Sequence, residues 1–488
     1  MNIHSVIRVN AVLLTVLAVT MLVPACVGYG YGENVSAFLI SSTMCAAIGL
    51  SGWIFTRKHK KLTNKDGFTI VTIAWVVTAL AGSLPFYIGG FIPNFTDAFF
   101  ESMSGVTTTG ATIIGNPLTL SNLPYGIESL PHGILFWRSF IQWIGGMGII
   151  VFTIAVLPLL GVGGVQLFRA EVPGPVADKI TPRVRETAKY LWMVYFGFTL
   201  AETILLGIGG MDWFDAVCHS FTTMPTGGFS TKNASIGYYE NSYIHYIMIL
   251  FMFFAGINFT LHFRAITGDV TSYFKDREFL YYLGITVSIT LCISLGLYVQ
   301  GSSWSHHHFR DSLFQTVSIL TTTGYGTTDY ELWPYFAQFI ILLLMFVGGM
   351  GGSTGGGMKI IRVILILKYI AIETRQMLHA RAIIPIRIGS RYISRDVIRN
   401  TVGFFLFYMF IFAATALILS AMDLDFSSAI GLAASAIGNI GPAFGNFGPT
   451  ENYALLPDFG KWLLSFCMLL GRLEIFTVMV LFSRTFRD

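Results

Sequence analysis

The sequence predicts an all-α polytopic membrane protein. Two N-terminal transmembrane helices precede four pseudo-repeats of helix, half-helix with glycine turn, and helix, arranged around one axis. Three observations predict it. The 488-residue chain is 54% hydrophobic, only 11% charged, and has a mean hydropathy of +0.66. A soluble domain carries about 25% charged residues, so a large soluble enzyme is excluded. Continuous apolar runs of membrane-spanning length, about 20 residues, recur from end to end without strand-like alternation. Four shorter semi-polar segments between them each end in a glycine turn.

Taken in order, spans are predicted near 9–29, 36–56, 69–91, 134–160, 188–209, 243–263, 279–300, 335–366, 401–421 and 460–483. The run after Arg8 resembles a signal peptide up to Ala25-Cys26, but Pro24 and the polytopic continuation favour a retained first helix. The semi-polar segments near 97–108, 213–225, 311–322 and 427–439 are too short to span. They are expected as re-entrant half-helices, since irregular backbone at membrane depth survives only inside protein or against water. The implied division is 1–65 for the two N-terminal helices, then repeats at 66–180, 181–275, 276–395 and 396–488.

With both termini cytoplasmic, 25 of the 30 Lys and Arg residues face inside. Arg138, Lys232, Arg310 and Lys461 fall outside, and Arg472 lies within a span. This asymmetry fits the positive-inside rule and puts all four half-helices on the outer face. The five cysteines are scattered, with no C-x-x-C pair, so neither a disulfide framework nor a metal site is expected.

Thr322-Thr323-Gly324-Tyr325-Gly326 differs by one residue from the T-V-G-Y-G of potassium-channel selectivity filters. Such a filter replaces the hydration shell of K⁺ with rows of backbone carbonyls, and glycine supplies the backbone angles this requires. Three further turns occupy corresponding places: Thr108-Thr109-Gly110-Ala111, Pro225-Thr226-Gly227-Gly228 and Asn439-Ile440-Gly441-Pro442. Aligned on Gly110, Gly227, Gly324 and Gly441, they are spaced by 117, 97 and 117 residues. Four such turns between paired spans predict one pseudo-fourfold filter from a single chain. The fourth copy lacks threonine, so an imperfect filter is expected.

These motifs, the two extra N-terminal helices and Gly471-Arg472-Leu473-Glu474-Ile475-Phe476 resemble the Trk/Ktr/HKT superfamily of potassium transporters. The bacterial TrkH/TrkG branch is the nearest match, over essentially the whole chain. The resemblance implies K⁺ uptake across the bacterial inner membrane and a homodimer. It also implies a cytosolic RCK-type regulatory subunit, which would bind NAD(H) or adenine nucleotides. This chain itself is expected to bind no cofactor and no nucleic acid, and to be no enzyme.

Two gate candidates follow. Seven glycines crowd positions 348–357: Gly348, Gly349, Gly351, Gly352, Gly355, Gly356 and Gly357, followed by Lys359. At about 1 kcal/mol each relative to alanine, they cannot hold a helix interior, so the span should break there. Met358 between Gly357 and Lys359 departs from a phosphate-binding loop. A close-packing glycine patch remains open beside a gating loop, which the resemblance favours. Arg472 falls about 18 Å into its span, near mid-membrane. It is either an ion-pair partner, of Glu474 or another helix, or a pore-side cation opposing K⁺; the resemblance favours the second.

His306-His307-His308 is expected as a solvated outer loop. Asp212, Asp215, Asp311 and Asp329 are either cation-attracting or half-helix caps. The basic 359–399 segment is a positive-inside loop or a docking face for the regulator. A symporter carrying H⁺ or Na⁺ with K⁺ is the alternative to a channel-like pore. A membrane-embedded enzyme lacks any H-E-x-x-H or G-x-S-x-G motif to support it.

Overall fold

A computed structural model describes residues 2–56, 63–115, 126–148, 184–299, 306–379, 384–389 and 391–482. The inner half of the span predicted at 134–160 lies outside these residues. So do Arg57, Lys58, Lys60, Lys61, Arg169, Lys179, Arg183, Arg381, Arg484 and Arg487 of the predicted inner charge belt.

The described chain is helical apart from a two-residue hairpin, β1 (Arg387–Ile388) with β2 (Arg391–Tyr392). Helices α1 (Ile3–Thr20) and α2 (Leu22–Gly30) form one apolar stretch, and α3 (Ser36–Phe55) packs back against α1. The first repeat follows as α4 (Asn64–Ile88), half-helix α5 (Phe95–Val106) and α6 (His132–Trp143). The second is α7 (Val184–Ile208), half-helix α8 (Trp213–Thr223), α9 (Ser242–Ala255) and α10 (Phe259–Ile266). The third is α11 (Arg277–Val299), half-helix α12 (His306–Leu320), α13 (Tyr335–Met345) and α14 (Ile360–Leu378). The fourth is α15 (Arg395–Ser420), half-helix α16 (Phe426–Gly438), α17 (Asp458–Arg472) and the short α18 (Phe476–Met479).

Caps explain where half-helices start. Asn94, Asp212 and Asp425 accept from backbone N–H groups of Thr96, Phe214 and Ser428 at the heads of α5, α8 and α16. Among the described residues, six helices are long and apolar enough to cross a membrane, or eight if bent pairs count as single spans. Their outward faces carry exposed Leu406, Phe410, Leu417, Val287 and Leu295, as lipid contact requires.

One expectation is corrected. The spans predicted at 243–263 and 460–483 are not continuous helices. They bend by 104° between α9 and α10, and by 108° after α17. Gly256 ends α9, and Asn258 caps α10 by accepting from the Thr260 N–H. Arg472 ends α17 beside Glu474, which takes a left-handed φ of 51°. The first repeat widens into a π turn at Ile144–Gly148, and the third opens at residues 346–359. Among the described residues the second helices of repeats 2, 3 and 4 are thus interrupted, whereas only the third interruption was expected.

Candidate functional site: a ring of four glycine turns over an inner loop

The four half-helices end in one backbone motif. The N–H groups of Thr108, Thr226, Thr322 and Asn439 each bond the carbonyl three residues back, on Gly105, Thr223, Ile319 and Ala436. Those of the next residues, Thr109, Gly227, Thr323 and Ile440, bond the carbonyl five residues back, on Ser104, Thr222, Ser318 and Ser435. This is a Schellman-type helix end, which requires a left-handed residue just past the helix. Thr108, Thr226, Thr322 and Asn439 supply it, with φ of 54°, 58°, 61° and 54°. Glycine or asparagine is usual there. Threonine is branched at Cβ and pays about 1–2 kcal/mol for that angle. Three strained threonines at one place mark a site that the surrounding structure holds against their preference.

Two residues beyond each strained position the backbone turns left-handed again, at Gly110, Gly228, Gly324 and Gly441 (φ 83°, 73°, 82° and 107°). The equivalent glycine in the second repeat is therefore Gly228, not the Gly227 used in the sequence alignment. The spacings become 118, 96 and 117 residues. The Gly227-Gly228 pair left the register open; only backbone angles separate them.

The same register closes a ring. A Cβ built on Gly110 would strike the carbonyl oxygen of Gly227; on Gly228, that of Thr323; on Gly324, that of Ile440. On Gly441 it would lie 2.8 Å from the carbonyl oxygen of Thr109. Repeats 1, 2, 3 and 4 thus pack in cyclic order, each glycine against its neighbour's carbonyl. Above this ring lies a small cavity of about 70 Å³, bordered by Gly110, Gly228, Gly324, Gly326 and Gly441 from all four repeats.

The ring is not symmetric behind its front. Hydroxyls pair across the turn at Thr107–Thr109 (2.8 Å) and Thr321–Thr323 (2.7 Å), whereas repeats 2 and 4 have Pro225/Gly227 and Gly438/Ile440 there. The Asn439 amide donates to the Thr109 hydroxyl at 3.0 Å, cross-linking repeats 4 and 1. The Gly441 carbonyl accepts from the hydroxyls of Ser435 (3.0 Å) and Tyr453 (2.6 Å), which occupy both its lone pairs. Pro442 follows it, and its Cδ lies beside Gly324. Tyr325 is a strut: its buried hydroxyl meets that of Thr222 and reaches the His219 carbonyl at 3.1 Å, on the half-helix before it. Ala111 is buried behind Gly110.

Directly inside the ring sits the loop between α13 and α14. Its ends pair as a short parallel bridge, Val347 with Met358. Gly356 N–H donates to the strained Thr322's hydroxyl at 2.6 Å. Thr354 donates to the Met224 carbonyl, at the end of α8, at 2.9 Å. A Cβ on Gly356 would strike the Gly438 carbonyl at the end of α16. The loop therefore touches half-helix ends of repeats 2, 3 and 4. Gly348 lies against Gly356, Gly349 against Gly256 at the α9 break, and Gly352 accepts from Phe259 N–H. Gly351 donates to Glu278 at 2.7 Å. Buried Lys359 donates to Ser353 (3.3 Å) and to the Gly355 carbonyl. Gly357 turns left-handed (φ 62°) where the chain re-enters the bridge.

Arg472 completes the contact with repeat 1. Its guanidinium donates to the Thr354 carbonyl at 2.7 Å, and to the carbonyls of Gly146 (2.8 Å) and Gly145 (3.2 Å). It forms no ion pair among the described residues, while Glu474 pairs with Arg362 instead. Backbone carbonyls hold this cation, bridging the loop to the π turn.

Each of the four cations predicted to lie outside meets a carboxylate. Arg138 bonds Glu101 at 2.9 Å with both side chains almost wholly buried, and also reaches Ser230 and Thr112 behind the first two turns. Lys232 pairs with Asp215 (3.1 Å), Arg310 with Asp311 (3.3 Å) and Lys461 with Asp97 (2.5 Å). Asp212 and Asp329 are caps, and Asp215 and Asp311 are paired, so none of these four is a free attractor. Glu331, at the outer rim, accepts from Gly445 N–H at 2.6 Å. Partial burial, then neighbouring Asp329, Glu451 and Asp425, push its carboxyl above the usual range. His306–His308 open α12 rather than a loop, and His306 meets Tyr246. The described residues hold no cluster of metal-ligating side chains.

Four re-entrant half-helices, a shared turn geometry and paired spans define a polytopic membrane protein of the single-chain, four-repeat pore-loop class. Residues 34–487 match the family model for the TrkH cation transport proteins. The chain is 43% identical, over all its length and 99% of the relative, to the Trk system potassium uptake protein TrkH of Vibrio parahaemolyticus. It is 39% identical to TrkH of Escherichia coli K12 over the same shares, and 34% identical to that organism's TrkG over 96% of this chain and 95% of TrkG. A crystal structure of the potassium transporter TrkH from Vibrio parahaemolyticus superposes with a TM-score of 0.88, 40% identity and full coverage of both chains. The chain belongs to the TrkH family.

Sequence reasoning missed the Glu101–Arg138 pair, the Asn439 cross-link and the breaks at Gly145-Gly146 and Gly256. The pattern Gly256-Ile257-Asn258, a helix stop followed by an N-cap, was available as a signal for the last.

Proposed function

We propose that this chain carries K⁺ inward across the bacterial inner membrane, both termini cytoplasmic, through the ring of four turns. The observation that carries this reading is the cyclic packing of Gly110, Gly228, Gly324 and Gly441 against their neighbours' carbonyls. It supports one narrow, backbone-lined opening on a shared axis, the chemistry that replaces a cation's hydration shell. The relatives' description as potassium uptake proteins selects the ion. K⁺ sheds water at the carbonyls of residues 108–111, 226–228, 322–325 and 439–440. The half-helix ends beneath direct their negative dipole ends toward it. The membrane potential drives it inward with about 2.3 kcal/mol per 100 mV.

The residue 347–359 loop is the gate in this reading. Its contacts with the half-helix ends, together with Arg472, place backbone and a cation across the exit. A cytosolic RCK-type subunit that binds NAD(H) or adenine nucleotide opens it, docking on the basic 359–399 segment of a homodimer.

Proteoliposome flux at imposed voltages tests the reading. Flux reversing at the K⁺ equilibrium potential, indifferent to Na⁺ and pH gradients, is expected of the pore. A reversal displaced by either gradient overturns it in favour of symport, and absence of K⁺ flux overturns K⁺ transport itself.

A further inference from the structure

One ionisable side chain near the ring has no part in the reading above. Glu202, on α7, is completely buried, and neither carboxylate oxygen has a hydrogen-bond partner. An ionised carboxylate left so would forfeit its hydration with nothing in return, a cost proteins avoid.

Its surroundings state what it lacks. The hydroxyl of Thr223, the last residue of half-helix α8, faces it just beyond hydrogen-bond geometry. The Thr223 hydroxyl lies 2.8 Å from the His219 carbonyl and 3.5 Å from the Tyr325 hydroxyl, and while it donates to His219 only its lone pairs remain to meet Glu202. A carboxylate, which only accepts, would oppose those lone pairs. A carboxylic acid O–H donates to them. Tyr325 of the third turn and Tyr195 on α7 are the other ionisable groups within its electrostatic reach.

Among the described residues, no cation from the packed helices compensates it. On α8, His219 is held by the Asp215 carbonyl (2.8 Å) and the Ser230 hydroxyl (3.0 Å), and Asp215 by Lys232. On α9, His245 meets the Tyr239 carbonyl at 2.6 Å. On α10, His262 is held by Tyr273 (2.7 Å) and the Phe254 carbonyl (2.9 Å), and Arg264 is exposed.

We propose that Glu202 is a proton-binding site behind the filter, held as the neutral acid, whose O–H braces Thr223 and through it the Thr222–Tyr325 strut. The inference rests on the turns being the ion path. Glu202 touches no ion; it is a positioning residue for the second and third turns. Loss of its proton replaces a donor with a repelling charge beside Thr223 and loosens that strut. Alkalinisation should therefore degrade K⁺ over Na⁺ discrimination in a one-proton step.

The test pairs two measurements on the full-length protein. Infrared difference spectra of wild type and Glu202→Gln at neutral pH should contain the C=O stretch of a buried, protonated carboxyl that the variant lacks; its absence from wild type overturns the proposal. K⁺ and Na⁺ fluxes across a pH series should show the alkaline loss in wild type, with no such step in Glu202→Gln. Superimposable profiles overturn it. Should the variant fail to fold, the carboxyl band of wild type must disappear over the pH range in which discrimination is lost, and a band unmoved there overturns it. K⁺ flux in wild type, scored alone, separates failure of this proposal from failure of the pore assignment.

Discussion

Alanine at Gly324 should cost the pore its ion discrimination, while alanine two residues later should not. Gly324 sits at φ 82°, and an added Cβ would collide with the Ile440 carbonyl oxygen, 2.8 Å from the Pro442 Cδ and 3.0 Å from the Ile440 carbonyl carbon. Carbon atoms settle at about 3.5–4.0 Å, so the facing turn must retreat by roughly 0.7 Å to clear Pro442, and further to clear the Ile440 oxygen. The left-handed backbone adds ~1–2 kcal/mol for any side chain. If that strain is relieved by opening the ring, K⁺ over Na⁺ discrimination falls by about tenfold, since 1.4 kcal/mol is a factor of ten. Gly326 belongs to the same T-T-G-Y-G string, yet a Cβ there finds nothing closer than 3.7 Å. Parallel ⁸⁶Rb⁺ and ²²Na⁺ uptake into proteoliposomes, with Gly324→Ala and Gly326→Ala side by side, measures the contrast. Equal discrimination in both variants, or greater damage at Gly326, refutes the ring geometry.

Arg472→Ala removes three hydrogen bonds to carbonyls of the inner loop and π turn. At about 1.5–3 kcal/mol per charge-assisted bond, basal K⁺ flux should rise tenfold or more, and an unchanged or lower flux contradicts the gate. Glu101→Gln leaves Arg138 buried without its counter-charge and should cost about 3–5 kcal/mol. It should lower the melting temperature in detergent, whereas Arg399→Gln, at an exposed pair with Asp396, should not. Glu331 carries a raised pKa, so the folded protein binds its proton more tightly than the unfolded chain. That contribution to stability is present at acid pH and lost as pH rises through the folded value. Neutralising Glu331 also removes negative charge from the outer mouth. K⁺ uptake at low ionic strength should thus decline at a higher pH than an ordinary glutamate would give, and Glu331→Gln should flatten that limb.

The half-helices were legible because their signals are local: a polar cap, a short apolar run, a glycine turn. The breaks in α9–α10 and after α17 were not, because averaging hydropathy over a span hides a stop two residues long. Gly227 and Gly228 could not be ranked, since sequence does not say which of two adjacent glycines bears the left-handed angle. Arg472 invited a search for an acid, but its partners are carbonyls, which every residue has and no sequence distinguishes. Arg138 and Glu101 stand 37 residues apart on different helices, so only folding brings them together.

A tetramer of identical subunits must place the same residue at four points around its axis. This chain does not, and the departures fall where a closed state needs them. The front of the ring keeps four glycines, because each faces a neighbouring carbonyl and no side chain fits. Behind it the repeats diverge. The fourth withdraws the Gly441 carbonyl onto Ser435 and Tyr453 and uses Asn439 to grip the first. Beneath it, the second helices of repeats 2, 3 and 4 break among the described residues, and the break in the third folds back under the ring. The other three repeats supply its anchors: the Met224 carbonyl at the end of α8 and the α9 terminus, the Gly438 carbonyl at the end of α16, and the Gly145-Gly146 carbonyls reached through Arg472. In the proposed gate, one segment held by three dissimilar anchors can release by losing any of them, whereas four identical loops would have to crowd the same axial space. Unequal repeats are therefore what lets a four-repeat ring carry an internal plug.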